Sequence, residues 1–297
     1  MGNVNTRTDI RDFLISRRAR ITPEQAGLSA FGYGTRRRVQ GLRREEVAML
    51  AGISVEYYTR LERGNTNGVS DDVLDAVART LHLDEAERAH LFDLVRTERP
   101  SSPARRRPSQ ERVRPTVQRI LDSMLTVPAY VRNGRLDILA ANRLGAALYS
   151  PVFSNEAETP NMARFIFLNP RAAEFFVGWE GIASDAVAIL RAEAGRDPYS
   201  RRLSDLIGEL STRSDEFRVR WAAHNVKFHR TGTKQLHHPV VGDLTLAYEA
   251  LELAADSGQR ILAYTAEPES PSEDALKLLA TWCATAPTVE SGADAGR

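Results

Sequence analysis

Leu42-Arg-Arg-Glu-Glu-Val-Ala-Met-Leu-Ala-Gly-Ile-Ser-Val-Glu-Tyr-Tyr-Thr-Arg-Leu-Glu-Arg-Gly64 reads as two short helices joined by a tight turn, the second aimed outward. Val47, Ala48 and Leu50 give the first helix an apolar side, and Ala51 is small enough for close helix approach. Gly52 tolerates the positive φ that a sharp turn between helices demands. Ile53 fills the space between the helices, and Ser54 can cap the second one by accepting a hydrogen bond from the amide of Glu56 or Tyr57. Tyr58 and Leu61, three apart, share the inward face. Val55, Glu56, Thr59 and Arg60 are left on the solvent side, and Gly64 ends the helix. A short outward helix held this way has the dimensions of a DNA major groove.

The segment resembles the helix-turn-helix of the Cro/lambda-repressor-like (XRE) family, with every signature position filled. The resemblance implies that the second helix enters the major groove and that its early residues read base edges. By position, Arg43 and Arg44 open the first helix at phosphate or base. Val55 meets a thymine methyl, Glu56 accepts from a cytosine amino group, and Arg60 takes guanine O6 and N7. Tyr57 gives its hydroxyl to phosphate, and Ser54 and Thr59 complete the contact set. Glu56 and Arg60 are also an i,i+4 pair that could brace each other on the surface.

Working outward, Asp9–Arg20 forms a first helix with Ile10, Phe13 and Leu14 inward, and Thr22-Pro-Glu-Gln starts a turn or helical stub. The glycine-punctuated Phe31-Gly-Tyr-Gly-Thr-Arg-Arg-Arg loop is long for a helix connection. Its Arg36, Arg37 and Arg38 form either a basic arm beside the reading unit or a solvated loop. Ser70 and Asp84 cap two further helices. Five helices thus make an all-α DNA-binding domain over 1–98, followed by a Pro/Ser/Arg linker over 99–112. Net charge is +1 over the chain, yet residues 1–63 hold 12 Lys/Arg against 7 Asp/Glu. The positive charge sits where phosphate contact requires it.

Beyond the linker the period changes. Val113–Leu125 is a connecting helix. Pro128–Arg132 and Leu136–Ala140 flank an Asn133-Gly134 turn, a hairpin signal. Asn142 caps a helix through Tyr149, and helices follow near Ala163–Leu168, Arg171–Ala194, Ser200–Leu210 and Asp215–His224. Strands at Val226–Arg230, Lys234–Val240, Leu244–Leu253 and Ile261–Ala266 are separated by Thr231-Gly232 and Gly242-Asp243 turns. A helix over Ser272–Cys283 closes the domain. This order predicts an α+β PAS-like domain over 113–284, with helices on one face of an antiparallel sheet and a disordered tail over 285–297. Such a domain can enclose a ligand pocket between sheet and helices.

Several phrases here are similar to the ligand-binding domain of MmyB-like transcription regulators. They include Val127-Pro-Ala-Tyr-Val, Asp137-Ile-Leu-Ala-Ala-Asn142, Asn161-Met-Ala-Arg164, Leu206-Ile-Gly-Glu-Leu-Ser211, Phe217-Arg-Val-Arg-Trp-Ala-Ala-His224 and His238-Pro-Val-Val-Gly-Asp-Leu. The resemblance implies a mostly actinobacterial class of regulator that senses a fatty-acid-like or other small hydrophobic ligand. The chain departs from the family at Ala141, where tryptophan is usual, and at Gly178, where aspartate is usual. The candidate ligand-contacting residues are Tyr130, Asn142, Arg164, Phe217, Trp221, His224, His238 and Tyr248. Arg164 precedes the apolar Phe165-Ile-Phe-Leu run and would hold either a ligand carboxylate or a structural salt-bridge partner. Asn142 reads most simply as a helix cap, the two histidines as pocket groups or satisfied structural residues, and the aromatic members as pocket wall or core.

No Gly-x-Ser-x-Gly, His-Glu-x-x-His, phosphate-cradling loop or Gly-x-Gly-x-x-Gly occurs, so neither catalysis nor a cofactor is expected. One cysteine, Cys283, excludes an internal disulfide. No apolar run approaches the roughly 18–20 residues of a membrane span, and the N-terminus carries no signal-peptide core. The expectation is a cytoplasmic, nucleoid-associated homodimer that binds double-stranded DNA and a small hydrophobic ligand. The competing expectation is a second domain that only dimerises or recruits another protein.

Overall fold

A computed structural model describes residues 6–28, 41–98, 112–153, 159–222 and 231–285. The first helices in chain order are α1 (Thr6–Arg20), α2 (Arg44–Ala51), α3 (Val55–Glu62), α4 (Asp71–Thr80), α5 (Glu85–Glu98) and α6 (Pro115–Ser123). Strands β1 (Ala129–Arg132) and β2 (Ile138–Ala141) precede α7 (Arg143–Leu148), α8 (Met162–Leu168), α9 (Ala172–Phe175), α10 (Trp179–Arg196), α11 (Arg201–Arg213) and α12 (Asp215–Ala222). The chain then forms β3 (Thr231–His238), β4 (Gly242–Glu252), β5 (Arg260–Thr265) and α13 (Pro271–Thr285). These elements fall into two compact units, one drawn from residues 1–107 and 180–229, the other from 108–179 and 230–297.

In the helical unit, Ile10, Phe13 and Leu14 of α1 meet Val47, Tyr58, Leu61, Leu74 and Leu91 in one buried cluster. Two of its helix starts show their local chemistry directly. Ser70 caps α4 through the Val73 amide at 3.3 Å, and the Asp84 carboxylate accepts from the Glu87 amide at 2.8 Å. Leu50 departs from its expected inward place: it is 39% exposed and shares the solvent side with Met49. Helices α10–α12 belong to this unit too. The last turn of α10 lies so close to α5 that a Cβ on Gly195 would sit 2.7 Å from the His90 ring. Arg191 of α10 is buried, donates to the Trp221 carbonyl, and stacks 4.2 Å from the Trp221 ring centroid. Burial drops its pKa to about 10, against the pull of Asp9.

The second unit carries an antiparallel sheet in the order β2-β1-β5-β4-β3. Alternation sorts its two faces. Ala129, Val131 and Ile261 turn toward Val117 and Leu121 of α6, which covers the face opposite the other helices. One helix therefore lies on the second face, and β1 is buried on both sides. Tyr130, Leu262, Tyr264, Leu246 and Leu236 are buried at the alternate positions of their strands, on the other face.

Boundaries shift for local reasons. Leu136 adopts φ +67, so β2 starts at Ile138 rather than at 136. The loop before it is organised by the Asn133 side chain, which accepts from the amides of Arg135 and Asp137 at 2.9 and 3.0 Å. The helix expected over Arg171–Ala194 is two helices, broken where Gly178 takes φ +73 and the Val177 amide donates to Gln235. Thr231 and Gly232 are paired strand residues rather than a turn, and Gly232 leaves room for the cross-strand Tyr248 ring. The turn expected at Gly242-Asp243 falls just before it, because Gly242 already pairs with His238 in the ladder. The expected strand at 226–230 and the tail from 286 lie outside the described residues.

Candidate functional site

The reading helix is built as its residues dictate. Gly52 takes φ +69 and turns the chain. Ser54 Oγ accepts from the Tyr57 amide at 3.1 Å, and Tyr58 and Leu61 are fully buried. Val55, Glu56, Thr59 and Arg60 then line one shallow surface groove with Arg63 and Asn65. Arg63 and Asn65 were not among the expected contacts; they extend the groove past the helix end, where a search confined to helical positions does not look.

Several members of the expected contact set are braced within the fold. The Arg60 guanidinium lies 4.8 Å from the Tyr57 ring centroid rather than on Glu56, so stacking, not an i,i+4 ion pair, aims it. The Tyr57 hydroxyl donates to the Gly68 carbonyl at 3.3 Å. Arg44 Nε reaches Glu62 Oε1 at 2.7 Å while remaining half-exposed. Glu62 itself is buried and also takes Arg18 Nε at 2.9 Å. One carboxylate thereby ties α1, α2 and α3 together. The Arg43 amide donates to Glu46 at 2.6 Å, and its side chain lies 3.6 Å from Glu45. Arg36, Arg37 and Arg38 lie outside the described residues.

The candidate ligand residues divide between the units. Tyr130, Asn142, Arg164, His238 and Tyr248 belong to the sheet-bearing unit; Phe217 and Trp221 belong to the helical unit, stacked on each other with centroids 5.5 Å apart. His224 lies outside the described residues. The Asn142 amide is fully engaged. Its oxygen accepts from the Gly145 and Ala129 amides at 2.7 and 3.0 Å, and its nitrogen donates to the Val127 and Met124 carbonyls at 2.7 and 2.8 Å. His238 is buried, and its Nδ1 accepts from the amides of Val240 and Val241. That leaves Nε2–H to donate to the Ala147 carbonyl at 3.0 Å. Burial lowers its pKa, in keeping with a neutral ring. Arg164, on α8, is half-buried.

Tyr130 and Tyr248 enter a ring cluster that the expected set missed in part. Tyr149 packs edge-on to Tyr130 at 5.3 Å and meets Tyr264 at 5.5 Å and Phe175 at 5.9 Å. Phe175, Phe176 and Phe165 continue the wall. The Tyr130 and Tyr264 hydroxyls lie 3.3 Å apart. Buried Lys234 donates to the Tyr264 hydroxyl at 3.4 Å, its ammonium 5.1 Å from the Tyr248 ring centroid. The expected set missed Lys234, although its alternation with Leu236 and His238 along β3 is the signal that could have found an inward lysine.

Residues 113–279 match the family profile described as the MmyB-like transcription regulator ligand binding domain, and residues 16–91 match that of a helix-turn-helix domain. No curated protein matches the chain. No helix among the described residues is long and apolar enough to cross a membrane.

Proposed function

The chain belongs to the MmyB-like transcription regulators, a DNA-binding class, and from that premise we propose that it is a ligand-responsive repressor or activator whose DNA affinity follows the occupancy of its sheet-bearing unit. The effector in this reading is a small hydrophobic, fatty-acid-like molecule, and the regulator works in the cytoplasm as a homodimer on a palindromic operator. A single reading helix spans too few base pairs to select a site alone, which favours the dimer.

One observation carries the coupling. Helices α10–α12 lie within the segment matched by the ligand-binding family, yet they pack in the same compact unit as the reading helix. A change in how those helices seat has a direct mechanical route to α1 and α5. Val55, Glu56 and Arg60 supply base recognition in this reading, which their shared surface groove and the Tyr57 ring packed on the Arg60 guanidinium support.

The test is selection of binding sites from random DNA by the purified chain at moderate salt. A two-fold symmetric site is expected, with Glu56→Ala and Arg60→Ala each relaxing one base position of the half-site. Retention of random sequences without enrichment would refute the DNA-reading half. DNA affinity indifferent to every co-purified or added lipid would refute the sensing half.

A further inference from the structure

Glu62 is the last residue of the reading helix α3 and is buried, while Arg60 and Arg63 on either side of it in the chain line the surface groove. Its carboxylate takes two guanidinium groups. Arg18 of α1 meets it with Nε at 2.9 Å and Nη2 at 3.4 Å, and turns Nη1 onto the Leu42 carbonyl at 2.7 Å. Arg44, the first residue of α2, meets Oε1 with Nε alone, at 2.7 Å. The Arg44 side chain is 45% exposed, against 14% for Arg18. Its Nη1 and Nη2 donate to nothing among the described residues. The acidic residues beside it on α2 are already engaged: Glu45 lies 3.6 Å from Arg43, and Glu46 accepts from the Arg43 amide.

A buried carboxylate needs one cation to balance it, and Arg18 meets that need through two of its nitrogens. The second guanidinium leaves two positive groups on one negative, a triad of net charge +1. An ion pair with so exposed a partner adds little stability. What it does add is order. An arginine fixed at Nε keeps both terminal nitrogens for an oxyanion, and a phosphate accepts that planar fork well. Less side-chain freedom is then lost when the anion arrives.

Resting on the DNA-reading function proposed above, we infer that Glu62 is a positioning residue for operator binding. It holds Arg44 preset for one backbone phosphate and, as part of α3, ties that anchor to the residues that read bases. Being buried, it acts through Arg44 and not on DNA itself.

The test is operator affinity of the full chain by fluorescence anisotropy across a salt series, with active protein counted by stoichiometric titration. Arg44→Ala weakens binding roughly 10- to 100-fold, the range of a hydrogen bond to a charged group. It also lowers the slope of log affinity against log salt by about 0.9, one phosphate contact. Glu62→Gln removes a negative charge, so long-range electrostatics alone would tighten binding. The positioning role instead weakens it about 10-fold. In an Arg44→Ala background, Glu62→Gln shifts affinity by less than about 2-fold, because the two residues act as one unit. A merely structural Glu62, acting through Arg18, would weaken binding equally in both backgrounds. That result overturns the inference, as does Glu62→Gln alone binding like the wild type or tighter. So does an Arg44→Ala chain with wild-type affinity and slope. Should Glu62→Gln not fold, Arg44→Lys still decides. An ammonium keeps the charge and the slope but cannot present a planar fork, so affinity falls about 10-fold; wild-type affinity there overturns the inference too. If Arg60→Ala still relaxes its base position, the DNA-reading function survives that failure; if the wild-type chain selects no operator, both fall.

Discussion

Asn142→Ala removes four hydrogen bonds at once. Two backbone amides, at Gly145 and Ala129, lose their acceptor, and two carbonyls, at Val127 and Met124, lose their donor. The side chain is buried, so water does not simply replace it. At about 1 kcal/mol net for each bond, the cost is roughly 4 kcal/mol, more if the orphaned groups stay dry. For a unit of this size that is a fall in Tm of roughly 10 °C. Two domains need not unfold together, so the assay is urea unfolding followed by hydrogen exchange on peptides covering 124–149. Protection of the Ala129 and Gly145 amides is expected to collapse before that of the helical unit. Asn142→Asp keeps both acceptor bonds but aims an oxygen at two carbonyls, so at neutral pH it should do no better than alanine. A loss below about 1 kcal/mol for Asn142→Ala would refute the four-bond scaffold role. Full rescue by aspartate would show that the helix cap alone matters.

Glu62→Ala strands the mostly buried Arg18 and frees half-exposed Arg44, and should cost the helical unit roughly 3 kcal/mol in denaturant unfolding, most of it from Arg18. Gly195→Val drives a side chain into the His90 ring and should cost about 1–3 kcal/mol; adding His90→Ala should recover most of it, and an additive double mutant would contradict the contact. His238 has its pKa lowered from 6.5 by burial, so its contribution is fully present above about pH 6.5 and is lost as pH falls toward the lowered value. Wild-type stability should therefore drop by up to about 1.4 kcal/mol per pH unit in that window, and His238→Gln should flatten that slope while lowering stability at pH 7.

Much of the helical unit was legible because its determinants are local. Ser54, Ser70 and Asp84 cap helices through neighbours three residues on, and Tyr58 and Leu61 fall inward on helical period alone. The double clamp on Glu62 was not legible, since Arg18 and Arg44 come from distant positions that only tertiary packing brings together. The strand order and the α6 face were likewise beyond local pattern. The candidate ligand set mixed two units because aromatic residues advertise burial without saying which core they enter: Phe217 and Trp221 stack on each other in the helical unit, with Arg191 over the Trp221 ring. Arg60 shows the same limit on a smaller scale. Its i,i+4 spacing from Glu56 permitted an ion pair, while the adjacent Tyr57 ring took the guanidinium instead.

The most direct measurement is the affinity of the full chain for its selected operator, by fluorescence anisotropy, with the protein stripped of ligand and then reloaded with a small hydrophobic molecule that raises its Tm. Dissociation constants are expected to differ at least about 5-fold between the two forms, the lower end of ordinary allosteric coupling. Equal affinities for stripped and loaded protein, with loading verified by native mass spectrometry, would contradict it.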